Sequence, residues 1–109
     1  MNRQEAIDCS ELVQAAYHYA GLEIPDGSNY QYDFCRPVSA PEVGDLGFLW
    51  SDKWNRIGHV MIYKGNGMVI HAVGGKGVVD DYASNWESHA RWRGWRRHPE
   101  LARPPEERA

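Results

Sequence analysis

The sequence predicts an α+β fold in which one N-terminal helix packs on an antiparallel β-sheet. Two observations carry this. Apolar residues recur at steps of three and four from Cys9 to Ala20, and beyond Pro41 the pattern changes to short, glycine-bounded segments rich in β-branched and aromatic residues. A chain of 109 residues suffices for one hydrophobic core and not for a second module.

The helix comes first. Leu12, Val13, Ala16, Tyr17 and Ala20 form a single apolar stripe, Gly21 ends it, and Pro25 prevents its return. At the other end Asp8 and Glu11 have the spacing of a capping box with Asp8 at the N-cap, which places Cys9 in the first turn.

From Glu23 to Pro41 the chain collects Pro, Asp, Gly, Ser and Asn with little periodicity and reads as a long loop. Tyr30, Tyr32 and Phe34 alternate within it, lining a groove or forming a short edge strand. Four strands follow in "GDLGFLW", "GHVMIYKG", "NGMVIHAV" and "GVVDDYA"; being short and consecutive, they are expected to pair antiparallel. The basic, aromatic "RWRGWRRH" is either a nucleic-acid patch or a final strand with outward Arg and inward Trp, although Trp92 and Trp95 do not alternate cleanly. A net charge of -3 offers no general attraction to phosphate backbones, so no nucleic-acid partner is expected. The expected domain is a single unit over residues 1–99, with the charged, Pro-rich residues 100–109 poorly ordered.

With 42% hydrophobic and 25% charged residues the composition is that of an ordinary globular domain, and no window approaches the roughly eighteen apolar residues of a membrane span. The opening "MNRQEAID" has no apolar core of a secretory signal; the expectation is a chain that is cytoplasmic as written, or exported or delivered by other machinery. Two cysteines are too few for a disulfide scaffold, and a single Cys9–Cys35 bridge would block Cys9 as a nucleophile.

Cys9 is the first residue whose placement suggests chemistry. A first-turn thiol faces unpaired backbone N–H groups and the positive end of the helix dipole, which favour thiolate and predict a lowered pKa. A nucleophile of this kind needs a base. His59 and His71 lie in two strands joined through "KGNG", and the parity of that turn decides whether they share a face. An odd loop centred on Gly65 pairs position 59 with 71; a two-residue Gly65-Asn66 loop pairs 59 with 72 and sends His71 to the opposite face. The odd register, with Asn66 or Gly67 supplying a left-handed residue, groups His59 with Met61 and Tyr63 and leaves Val60 and Ile62 on the other side. His59 then serves as general base for Cys9, and His71 holds the second ring nitrogen and fixes the tautomer. Taken singly, each histidine reads first as a hydrogen-bonded or half-exposed strand residue; two on one face, with a first-turn Cys elsewhere, reverse that reading. A Cys2His2 metal module of Cys9, Cys35, His59 and His71 is the rival constellation, but it has no paired-ligand spacing.

These residues resemble the NlpC/P60 family of papain-like cell-wall cysteine peptidases. The resemblance rests on "DCSELVQAAYHYAG", "GDLGFLW", "IGHVMIYKGNG" and "VIHA", in order and spacing from Asp8 to about Val79. It implies Cys9 as nucleophile, His59 as base and His71 as the orienting third member, with backbone N–H groups at the helix start, that of Cys9 included, meeting the oxyanion. Asp8 and Ser10 match positions that border the family's substrate site and are the substrate-binding candidates. The implied activity is hydrolysis of peptidoglycan stem peptides, commonly between D-γ-glutamyl and a diamino acid, through a thioester acyl-enzyme with no metal or organic cofactor. The implied partners are stem peptides or muropeptides; a catalytically weak binding or phage-tail module on the same fold is the alternative. The sequence departs from the family at Glu11, where Gly is usual, and in having only eight residues ahead of Cys9.

Overall fold

The structure, a computed structural model, describes residues 8–108. Its elements run α1 (Cys9–Tyr19), α2 (Ser28–Phe34), β1 (Arg36–Val38), β2 (Leu46–Ser51), β3 (Arg56–Gly65), β4 (Met68–Val73), β5 (Gly77–Tyr82), α3 (Ala83–Glu87), β6 (Trp92–Arg97) and α4 (Pro99–Ala102). The six strands form one antiparallel sheet in the order β1-β6-β2-β3-β4-β5. This is the α+β architecture that the hydrophobic periodicities predict.

Helix α1 begins as its sequence dictates. The Asp8 carboxylate accepts from the Glu11 N–H at 2.8 Å and the Glu11 carboxylate accepts from the Asp8 N–H at 3.1 Å, so two otherwise orphaned donors are satisfied reciprocally. The helix stops at Gly21, whose φ of +82° is the left-handed conformation glycine adopts without penalty. Val13 and Tyr17 are the buried face of α1; they pack with Leu46, Phe48, Ile57 and Val60 on one side of the sheet. The opposite side holds a second cluster of Leu49, Met61, Val69, Ala83 and Trp95, with Trp86 and Trp92 against it.

Three segments differ from the sequence expectation. Within the expected loop of residues 23–41, Ser28–Phe34 is helical and Arg36–Val38 is an edge strand on β6. The alternating Tyr30, Tyr32 and Phe34 therefore lie on a helix. Its anchor is polar: buried Gln31 donates to the carbonyls of Ser10 at 3.1 Å and Pro25 at 2.9 Å, tying α2 to the start of α1. Of residues 100–109, expected to be poorly ordered, the described ones continue α4 beyond Pro99 and form a 3-10 turn at Pro105–Glu107. Buried His98 caps α4 by accepting from the Glu100 N–H at 3.0 Å, and its other ring nitrogen lies 2.6 Å from the Glu23 carbonyl.

Strand β6 carries the basic stretch, and a register shift opposite Gly47–Leu49, at Gly94 with φ +96°, explains its broken alternation. The extra residue brings Trp92 and Trp95 to the same face, 4.8 Å apart in an edge-to-face pair. Gly47 makes room for them: a Cβ there would stand 2.6 Å from the Trp92 ring. The arginines are engaged within the molecule. Arg91 pairs with Asp52, Arg96 lies on Tyr32 and donates to the Tyr32 and Cys35 carbonyls, and Arg97 forks onto the buried Asp45 carboxylate with two 2.8 Å bonds.

Candidate active site

Two bulges in β3 aim the histidines. Against β2 the register passes from Leu49↔His59 to Trp50↔Ile57, so Gly58 is an extra residue. Ile57 and Val60 can therefore both face α1 while His59 turns to the other side of the sheet. Gly58 is the residue that permits this, since a Cβ would stand 2.4 Å from Ser51 Cβ.

The second bulge corrects the turn predicted from sequence. The hairpin closes with a two-residue Asn66-Gly67 turn, φ +55° and +74°, flanked by the pair Gly65↔Met68; it is not an odd loop centred on Gly65. A two-residue turn alone would place His59 and His71 on opposite faces. Lys64, unpaired between Tyr63↔Val69 and Gly65↔Met68, adds one residue to β3 and restores the shared face. Continuing this register sets His71 across from Met61, so the two histidines meet diagonally rather than directly. His59 Nε2 lies 2.8 Å from His71 Nδ1, with the rings edge-to-face at 5.0 Å. Trp86 of α3 stands against both rings, 6.4 Å from His59 and 5.4 Å from His71.

Cys9 is half-buried at the start of α1, a free thiol like Cys35. The backbone N–H groups of Val60, Ser10 and Cys9 itself favour its thiolate, and Val60 is the residue after His59 on β3. The expected lowering of its pKa is reversed. Burial raises the thiol above its ordinary value, the Asp8 carboxylate adds to this, and the three N–H groups only partly offset both. Glu11 turns back into the capping box, so the carboxylate that opposes thiolate formation is Asp8. His59 is displaced the other way: burial, then the neighbouring His71, lowers its pKa to about 4. Burial also lowers that of His71, opposed by Asp81. At neutral pH the resting site therefore holds a neutral thiol and two neutral imidazoles, in which His59 has a lone pair available to take a proton.

Of the two substrate-binding candidates, Asp8 is exposed, whereas Ser10 is buried and its hydroxyl donates to Asp8 at 2.9 Å. Cys35 lies in the core beside Tyr17 and Phe48, its thiol pushed up to about 12 chiefly by burial. It belongs to that core cluster and not to the histidine pair, and no group of three potential metal-binding side chains converges among the described residues. Sequence reasoning missed Asp81 and Trp86. Asp81 Oδ2 lies 3.7 Å from His71 Nε2 and accepts from Trp86 Nε1 at 3.2 Å. Its place is set by the β4–β5 register, and no local pattern marks it.

Comparison with known proteins agrees with this geometry. The NlpC/P60 family profile matches residues 2–97. The peptidoglycan DL-endopeptidase CwlO of Bacillus licheniformis is 42% identical over 82 residues, covering 72% of this chain and 18% of that protein. The peptidoglycan endopeptidase RipB of Mycobacterium tuberculosis is 39% identical over 74 residues, covering 66% of this chain and 30% of RipB. The chain thus spans less than a third of the length of either relative. Among solved structures, an NlpC/P60 family protein from Bacillus cereus superposes with a TM-score of 0.75 at 27% identity, covering 84% of this chain and 32% of that one. A helix start bearing Cys9, a strand pair bearing His59 and His71, and these likenesses agree: the chain belongs to the NlpC/P60 family.

Proposed function

We propose that this protein is a cysteine peptidase that hydrolyses peptidoglycan stem peptides, with Cys9 as nucleophile, His59 as general base and His71 as the residue that orients it. The observation that carries the reading is the pair His59–His71, held at 2.8 Å on the strand whose Val60 N–H meets the Cys9 sulfur. Because Nε2 of His59 is engaged by His71, the proton from Cys9 goes to Nδ1. The sulfur attacks the scissile carbonyl carbon, and the backbone N–H groups at the start of α1 face the oxyanion. His59 returns the proton to the leaving amine, which departs as the thioester forms. Water, deprotonated by His59, then attacks the thioester; the acid departs and His59 returns that proton to the Cys9 sulfur. The bond proposed is that between D-γ-glutamyl and the diamino acid of the stem.

Purified protein incubated with muropeptides, with products read by mass spectrometry, tests this. Cleavage at that bond, abolished by Cys9→Ala in a variant that still folds, is the expected result. Full activity in Cys9→Ala, or no cleavage by the wild-type chain, overturns it. A second reading, a binding module that retains the fold, is favoured by the Asp8 carboxylate and the burial that oppose thiolate formation. It predicts that wild type and Cys9→Ala bind sacculi equally and that neither releases products.

A further inference from the structure

Beyond the Cys9, His59 and His71 set stands a carboxylate that their chemistry leaves unused. His71 is 1% exposed, and its two ring nitrogens face different neighbours. Nδ1 meets His59 Nε2 at 2.8 Å. Nε2 is buried without a hydrogen-bond partner among the described residues, and Asp81 Oδ2 stands 3.7 Å from it. A neutral imidazole carries one N–H and one lone pair, so the environment of one nitrogen decides what the other presents.

Asp81 is held for this position by donors on three sides. Its Oδ1 accepts from the Tyr82 N–H at 2.9 Å and Asn85 Nδ2 at 3.1 Å, and its Oδ2 accepts from Trp86 Nε1 at 3.2 Å. These bonds fix the carboxylate at the junction of β5 and α3, where Trp86 packs against both histidine rings. Although burial works against the charge, the three donors and His71 bring its carboxyl below the usual range, so it is ionised at neutral pH. An ionised carboxylate only accepts. At 3.7 Å it acts on the ring through its field, which disfavours a lone pair at Nε2 and favours N–H there.

We propose that Asp81 is the positioning residue of this site: its carboxylate selects the Nε2–H tautomer of His71, which gives His71 Nδ1 a lone pair to accept Nε2–H from His59. His59 thereby keeps its Nδ1 lone pair for the thiol proton. This rests on the reading of Cys9 as nucleophile and His59 as base. No proton passes to Asp81 in the reaction; the proton moves from Cys9 Sγ to His59 Nδ1, and the carboxylate stabilises the imidazolium through His71. The titratable groups of the site are Cys9 and Asp8 at α1, His59 on β3, His71 on β4, Asp81 on β5, and His89, whose ring stacks on Trp86 at 5.9 Å. Asp80, the neighbour of Asp81, is paired with Lys64.

Asp81→Asn separates this role from a structural one. An amide keeps an oxygen for the Tyr82 and Asn85 donors but puts an NH2 where Oδ2 stood, opposite His71 Nε2. It therefore asks His71 for the wrong tautomer while preserving most of the local bonds. Histidine side-chain 15N correlation spectra near pH 7.5, with His71 assigned by the signals missing in His71→Gln, are expected to show N–H at Nε2 of His71 in the wild type and at Nδ1 in Asp81→Asn. On muropeptide, kcat should fall at least tenfold with KM changed less than twofold. A His71 tautomer that is the same in both proteins, with kcat within twofold, overturns the proposal. The wild-type spectrum decides even if the variant fails to fold, since N–H at Nδ1 of His71 would exclude the arrangement outright. The spectra need no turnover, so an absence of hydrolysis would refute the peptidase reading and leave the tautomer assignment to be judged on its own.

Discussion

His59 Nε2 and His71 Nδ1 are 2.8 Å apart although the two residues are not directly opposite in the hairpin. The approach is diagonal, made by the extra residue Lys64 in β3, and it consumes one ring nitrogen of each histidine. His59 is left with a single nitrogen for proton transfer, and burial together with His71 keeps that ring neutral down to about pH 4. The site at rest is a neutral pair.

That state predicts a particular pH profile. Alkylation of Cys9 by iodoacetamide should rise through an inflection above the ordinary thiol value and show no plateau beginning in the acid range. His59→Ala should slow alkylation at pH 7 and reduce muropeptide hydrolysis by about 10²–10⁴-fold, the usual contribution of a general base. A thiolate plateau extending below pH 6 would mean a preformed ion pair and contradict the neutral resting state. Cys35 needs no replacement here, because its buried thiol is held unreactive near 12.

Acid should destabilise the fold through His59. Between pH 6.5 and about 4 the unfolded chain takes up a proton that the folded ring refuses, so this contribution is complete above pH 6.5 and is lost as pH falls toward 4. The loss is on the order of 2–3 kcal/mol. Urea midpoints measured from pH 7.5 to 4 should fall in the wild type and fall less in His59→Gln; equal slopes would refute the assignment.

Gly58→Ala should impair both folding and chemistry. Its Cβ would stand 2.4 Å from Ser51 Cβ, an atom fixed by the neighbouring strand, so the bulge must shift. Overpacking of this kind costs about 1–3 kcal/mol. Because the bulge aims His59, kcat should fall further than stability alone explains, measured where the variant is fully folded. Wild-type kcat with a lowered denaturation midpoint would show that the bulge serves packing only.

Asp45→Ala should be the most destabilising of these substitutions. Asp45 is 1% exposed, accepts the fork of Arg97 and the Glu42 N–H, and has no solvent to replace them. Removing one partner of a buried pair costs about 3–5 kcal/mol because the other charge stays behind. Thermal denaturation reads the loss; a change in melting temperature of only a degree or two would place the pair in effective contact with water.

The parts of this protein that depend on neighbours along the chain are legible in its residues alone. The capping box of Asp8 and Glu11, the length of α1, its stop at Gly21 and the spans of β2 to β5 follow from local periodicity and backbone preference. Cys9, His59 and His71 were legible as a set because their elements were. The short helix α2 was not, for it lacks an apolar stripe and has no side-chain cap at Gly27; a buried glutamine holds it in place. Helix α4 did leave a signal, Pro99 at its first turn behind a capping His98, within a stretch whose charge suggested disorder. The rest is settled by packing between elements distant along the chain. Register is a cross-strand property, so the bulges at Gly58, Lys64 and Gly94 show no local pattern, yet each inverts which side of the sheet the adjoining side chains occupy. Those inversions bring the histidines together and gather Trp92 with Trp95, while the unbroken β4–β5 register sets Asp81 beside His71. Burial likewise reverses the pKa of Cys9 from the direction a helix start alone would give, because the desolvation of a thiol is fixed by what packs over it.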